Sequence, residues 1–188
     1  MEPLAPAHAP RLFAGLGDVR LYTYIPEDPP ASLAALTARY EHLAAGSRKQ
    51  DEIWRNWVMF AASNGEPLGT LQATVFADGR ALIAYMLLAP YWGHGYATEG
   101  VQWMLHRIAR EDHVVRAEAY IDTRNQPSLR LVKRLGFQHR TTIAGADTFK
   151  GASSDEHVYE MSLRALTPGA PPSSSPPGAA RPPGTHRT

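Results

Sequence analysis

No cysteine occurs anywhere in the 188 residues. That excludes a disulfide framework, a thiolate metal site and a cysteine nucleophile able to carry an acyl group, and it fits a reducing compartment. Charge of one sign is lacking too. The chain has 19 Lys and Arg against 18 Asp and Glu, a net charge of +1, so no global field points to nucleic acid or an anionic membrane. Long apolar runs are missing: the most apolar stretch, Ala81–Ala89, is far too short to span a bilayer. No basic segment followed by an apolar run opens the chain, so it does not read as a secretory leader. The histidines scattered from His8 to His186 have no metal-ligand spacing, and no metal is expected. What is present, 44% hydrophobic and 20% charged residues, suffices for one domain with a real core. The expectation is a cytoplasmic protein, monomeric or homodimeric, bound to neither nucleic acid nor membrane.

Proline and glycine divide the chain. Residues 1–17, with Pro3, Pro6 and Pro10, read as a loose arm. Val19–Ile25 alternates as a strand, and a helical stripe of Leu33, Leu36, Tyr40 and Leu43 follows, closed by Gly46. Trp57–Ala62, Leu68–Phe76 and Ala81–Leu88 form a meander, turned at Asn64-Gly65 and Asp78-Gly79. A helix over 97–109, a strand over 114–121 and a helix from Pro127 to Leu135 come next, the last capped by Gly136. Strands at Phe137–Ile143 and His157–Leu163, with a loop between them, complete the order β-α-βββ-α-β-α-ββ. This is an α/β (α+β) domain spanning 18–166 on one mixed, mostly antiparallel sheet of six to seven strands. From 167 to 188 the Pro/Ser/Gly-rich composition reads as a disordered tail.

The chain is organised around Tyr91-Trp92-Gly93-His94-Gly95-Tyr96-Ala97-Thr98-Glu99. Strand, glycine loop, then helix is an arrangement that holds phosphate. Glycine lets the backbone turn close to a ligand, and a helix start offers unpaired N–H groups and a favourable dipole. A second motif, Asn125-Gln126-Pro127-Ser128, opens the later helix, which ends Leu135-Gly136-Phe137.

The pair of motifs resembles the Gcn5-related N-acetyltransferases (GNAT), and within them the branch containing ribosomal-protein-alanine N-acetyltransferases. The resemblance covers roughly Asp18 to Leu166 and implies acetyl-CoA as donor and a primary amine as acceptor, either a protein N-terminus or a small molecule. It implies that amides of Gly93, His94, Gly95, Tyr96, Ala97 and Thr98, with Trp92 beside them, bind the pyrophosphate. It implies that Met86, Leu87 and Leu88 pair with the pantetheine arm, and that this strand splays from the one at 114–121 to admit the thioester. Three positions depart from the family pattern: Trp92 stands where Gln or Arg is often found, although aromatic residues are common in this branch, His94 where Lys or Arg is usual, and Val132 where many relatives carry a tyrosine acid. In this branch Ser128 is the natural substitute, aimed at the sulfur, with Asn125 positioning substrate or a water. Glu118 is the candidate base, a salt bridge with Arg116 or solvent exposure being the equal alternative; Glu99 is better explained by the helix dipole, and Asp122 equally well by a turn. With no cysteine to carry the acetyl group, direct transfer in a ternary complex is the expected mechanism. Acceptor contacts are expected from Trp54–Trp57, Tyr22, Tyr24 and the 144–156 loop. The alternative reading is a catalytically silent acyl-CoA-binding module.

Overall fold

The computed structural model describes residues 1–167, so the tail expected from 167 onward lies outside it except for Thr167. That residue belongs to the fold, because its Oγ1 donates to the carbonyls of Val114 (2.6 Å) and Leu163 (2.9 Å).

The strands are β1 (Glu2–Pro3), β2 (Glu52–Phe60), β3 (Pro67–Phe76), β4 (Arg80–Leu87), β5 (Arg116–Asp122), β6 (Gln138–Phe149) and β7 (Ala152–Ser162). They form one sheet in the order β1-β2-β3-β4-β5-β7-β6. Every pairing is antiparallel except β4 with β5. The helices are α1 (Ala9–Leu16), α2 (Leu33–Ala45), α3 (Tyr96–Glu111) and α4 (Gln126–Leu135). The mixed, mostly antiparallel sheet flanked by helices is the expected architecture.

Strand alternation separates two cores. On β4, Ala81 and Ile83 are buried in the cluster that receives Val101, Met104 and Ile108 of α3 and Leu129 and Val132 of α4. Met86 and Leu88 instead join Leu12 and Leu16 of α1 and Leu36 and Tyr40 of α2 on the opposite face.

Three local expectations are corrected. Residues 1–17 are no loose arm: Glu2 and Pro3 pair with Val58 and Trp57 on β2, and Leu4, Ala9, Leu12 and Leu16 are buried. Of the prolines that suggested disorder, Pro3 lies on β1, and Pro6 and Pro10 sit in the first turns of a 3-10 helix (Pro6–His8) and of α1, where a missing N–H costs nothing. Val19–Ile25 is not a strand either. Val19–Tyr22 is a 3-10 turn whose Arg20 N–H donates to the Asp18 carboxylate at 3.0 Å, and Val19 is 70% exposed. The apolar alternation there marks no sheet face. Finally, the 144–156 loop is strand: β6 and β7 run on to a turn at Lys150-Gly151, with a register shift between Ile143 and Asp147. That irregularity hid the pairing from periodicity.

Leu12 is fully buried, so Leu12→Ala is expected to cost about 2–3 kcal/mol, read as a lower denaturant midpoint at unchanged slope. A loose arm would tolerate it.

Candidate acetyl-CoA site

The parallel pairing of β4 with β5 is short. It runs from Arg80 opposite Arg116 to Leu82 opposite Glu118 and stops. Beyond it β4 stays zipped to β3 as far as Leu87 opposite Gly69, and β5 stays zipped to β7 as far as Asp122 opposite Glu156. The two strands are therefore held on their outer sides and open between them.

Backbone groups of alternate residues point to opposite edges of a strand. Leu88 N–H donates to the Leu68 carbonyl at 2.8 Å, toward β3. The Met86 carbonyl also faces β3, since a Cβ built on Gly69 would meet it at 2.1 Å. Only glycine, here at φ 156°, permits that approach. The backbones of Tyr85 and Leu87 consequently face the gap, whereas of the expected trio Met86 and Leu88 face β3. The Leu87 carbonyl already accepts from Trp92 Nε1 at 2.7 Å. Trp92 thus ties the glycine loop to the strand end, with the Arg20 guanidinium 5.6 Å from its ring.

The loop after β4 delivers the start of α3 to the mouth of the gap. Gly93 (φ 81°) and Gly95 (φ 85°) are left-handed, and nothing lies within 4 Å of a Cβ built on either. Gly95 is the N-cap of α3 and has no side chain to satisfy the helix's first N–H groups. Those of Tyr96, Ala97 and Thr98 have no acceptor within the helix, and with the dipole they form an anion cradle. His94 stacks on Tyr96 with ring centroids 6.1 Å apart. The open cradle and the unpaired strand edge fit a pyrophosphate with an amide-bearing arm.

α4 starts beyond the end of β5. Its N-cap is Asn125, whose Oδ1 accepts from the Ser128 backbone N–H at 3.2 Å. The cap brings Asn125 and Ser128 together and leaves the Ser128 hydroxyl free of this duty. Tyr85 joins them: the Ser128 side chain acts on its phenol, holding down a pKa that burial pushes up to about 12. The Tyr85 Oη is buried and makes no well-formed hydrogen bond. Sequence reading missed Tyr85, because an aromatic residue in an apolar strand reads as core.

The loop leading to Asn125 is fixed by Asp122, which is 4% exposed. Its carboxylate accepts from Arg124 Nε (2.9 Å), Arg124 N (2.7 Å) and Ser154 Oγ (2.6 Å). The Arg124 guanidinium foremost, then Ser154, holds its pKa at about 2 against 3.8 ordinarily, in spite of burial. A depressed carboxylate stabilises the fold fully above the unfolded value and loses that contribution as pH falls toward the folded one. Asp122→Asn is therefore expected to cost roughly 2 kcal/mol at neutral pH and to flatten the acid limb of stability between pH 4 and pH 2. Thermal melts across that range check it.

Glu118 is not brought to this group. It occupies the last paired position before the gap, on the order of 13 Å along the strand from Asp122. There its carboxylate is engaged by Arg116 Nε (3.2 Å) and Arg80 Nη1 (3.4 Å). Glu99 lies exposed in the first turn of α3. Val132 is fully buried in the core. Of the expected acceptor residues, Tyr22 and Asn56 line a cavity beside β4. Trp57 is core, edge-on to Trp103 at 5.5 Å, and Arg55 is paired with Asp112. Among the described residues, no cluster of three or more His, Cys, Asp or Glu suits a metal, and no helix is long and apolar enough to cross a membrane.

A sheet opened between two parallel strands, with a helix start at its mouth, is the frame of an acyltransferase. The model of the acetyltransferase (GNAT) domain matches residues 1–138, and the chain belongs to that family. It is 31% identical over 87 residues to an uncharacterized N-acetyltransferase p20 of Bacillus licheniformis, a match covering 46% of this chain and 49% of the relative. The chain thus spans about half the length of that curated relative. Among solved structures, the RimL ribosomal L7/L12 alpha-N-protein acetyltransferase, in complex with coenzyme A, superposes with TM-score 0.77 at 17% identity, covering 86% of this chain and 92% of that one. A probable GNAT acetyltransferase from Chromobacterium violaceum gives TM-score 0.71 at 27% identity, over 85% and 80% of the two chains.

Proposed function

We propose that the chain transfers the acetyl group of acetyl-CoA to a primary amine, directly within a ternary complex. The observation carrying this reading is the β4 edge left unpaired beyond Leu82, running between the Gly93–Thr98 cradle and the Asn125–Ser128 cap. Acetyl-CoA supplies the activated acetyl group. The residues of this chain bind and orient it and handle protons. Amides of Gly93 to Thr98 hold the pyrophosphate, backbone donors and the helix dipole supplying most of the binding. Backbone groups of Tyr85 and Leu87 meet the pantetheine arm. The acceptor reacts as the neutral amine: as its nitrogen bonds to the carbonyl carbon and the carbon–sulfur bond breaks, Ser128 Oγ–H donates its proton to the departing sulfur, and the surplus proton on nitrogen passes through water to Ser128 Oγ, leaving an amide and the free thiol. Tyr85, kept neutral by its burial, stands behind Ser128. Asn125 holds Ser128 in place.

A second reading, an acyl-CoA-binding module without turnover, draws on Glu118, whose engagement by two guanidinium groups removes the expected base. Melting with acetyl-CoA at a hundred times its Kd is expected to add about 2.7 kcal/mol of stability under either reading, and no shift would sink both. Thiol release over a panel of amines and N-terminal peptides decides between them: acceptor-dependent release supports the enzyme, and silence across the panel supports the binder.

A further inference from the structure

We propose that the acceptor is a small primary amine on an apolar frame bearing one uncharged polar group, held in the cavity between α1, α2 and the face of β2–β4. The inference rests on the acetyl-transfer reading for its last step but has evidence of its own. The cavity has a volume of about 300 Å³, at the small end of ligand sites and within reach of a single-ring amine. Its walls are chiefly apolar, with Leu16, Ile25, Leu36, Leu43 and Met86 among them.

Tyr40 stands apart from the other polar residues of the lining, Tyr22, Asn56, Thr70 and Gln72 among them. It is 3% exposed, and its Oη has no hydrogen-bond partner although the residue lines the cavity. Burial pushes its pKa up to about 12, so it meets an occupant as a neutral phenol. An unpaired buried hydroxyl is costly in the free protein, and a polar group on the occupant would satisfy it.

Among the described residues of the lining, charge is confined to Glu27 and Arg39. They face each other at 4.0 Å with their side chains about half exposed. A polyamine or a strongly charged acceptor would be desolvated inside without a partner.

A polypeptide N-terminus fits less well for a separate reason. Each ordered peptide unit brings an N–H and a C=O that need partners. Peptide-binding grooves commonly supply them from an open strand edge. Here the walls are a sheet face, at Thr70, Gln72 and Ala84, and the flanks of helices, whose backbone groups are already used in their own ladders, together with the 22–30 segment, whose Tyr22, Ile25 and Glu27 carbonyls are taken by Lys150.

The cavity is also pre-shaped and correctly placed. Lys150, at the tip of the β6–β7 hairpin, donates to the carbonyls of Tyr22, Ile25 (3.2 Å) and Glu27 (3.2 Å), fastening the segment that closes one side. By strand alternation Ala84 and Met86 turn toward the cavity, while Tyr85 between them turns toward Ser128. An amine leaving the cavity at the edge of β4 arrives at the gap where the thioester would lie.

The test is calorimetry on the full chain saturated with CoA, using phenethylamine, tyramine, putrescine and an alanine-led tetrapeptide. The two aryl amines are expected to bind at least tenfold more tightly than the other probes. Ala84→Phe, and Ala35→Trp on the facing wall, should each weaken them at least tenfold without changing CoA affinity, which also certifies that the variants fold. Tyr40→Phe should erase any preference for tyramine over phenethylamine. Equal or tighter binding of the tetrapeptide or putrescine overturns the proposal, as does aryl-amine binding that survives both blocking variants. Aryl-amine binding without thiol release would overturn the transfer reading and leave this one standing. Thiol release with the tetrapeptide alone would do the reverse.

Discussion

Replacing Ser128 with alanine is expected to lower kcat by about two to three orders of magnitude, the usual contribution of a positioned proton donor, while the KM for acetyl-CoA stays nearly constant. The split follows from what each atom of Ser128 does. Its backbone N–H serves the fold by donating to Asn125 Oδ1, and alanine keeps that bond. Alanine is also a better helix former than serine, so α4 should not loosen. Only the hydroxyl is lost, and it is the hydroxyl that acts on the buried Tyr85 phenol. Tyr85→Phe should therefore give a smaller loss in kcat, and the double variant should lose less than the product of the two, because the groups act as a unit. Thiol release at saturating acceptor, with melting temperature as the folding control, measures all three. Unchanged turnover in Ser128→Ala would end the proposed proton donation.

Much of this site was legible because its parts are written in local chemistry. Gly93 and Gly95 signal left-handed backbone, Asn125 signals a helix cap, and Gly136 signals a helix end (φ 95°); each requirement is met within a few residues. What escaped was set by tertiary pairing. Glu118 could be read as a base or as a partner of Arg116, because its second guanidinium, Arg80, is 38 residues away. Tyr85 looked like core because only the termination of the β4–β5 ladder gives its hydroxyl a purpose. Met86 and Leu88 looked equivalent to Leu87 because the direction of their backbone groups depends on which edge of β4 is zipped, and the close approach at Gly69 fixes that.

The fold divides along the same line. The meander was readable from Asp78-Gly79 and from alternation. Leu4 and Leu12 were not recognised as core because their burial depends on α2 and β2, far along the chain. The β6–β7 hairpin was cut short because its ladder slips between Ile143 and Asp147, which breaks a period-2 pattern without breaking the strand.

Gly95→Asp should separate fold from function most cleanly. The residue is exposed, and no atom lies within 4 Å of the Cβ position, so packing tolerates a side chain. The left-handed φ of 85° costs roughly 1 kcal/mol for a non-glycine residue, less for aspartate than for most. Against that, a carboxylate at the start of α3 interacts favourably with the helix dipole and its unpaired N–H groups, so the melting temperature of the free protein should move by only a few degrees. Binding is another matter. The carboxylate would occupy the donors meant for the pyrophosphate and place a like charge about 5 Å from it, worth on the order of 3 kcal/mol at an effective dielectric near 20. Acetyl-CoA affinity should fall about a hundredfold, with the ligand-induced rise in melting temperature lost at concentrations that saturate the parent protein. Because the penalty is electrostatic, Gly95→Asn should lose far less, perturbing the backbone alike without the charge, and the difference should narrow in high salt. Equal losses in the two variants would mean that backbone strain governs the loop; unchanged affinity in both would remove the phosphate from it.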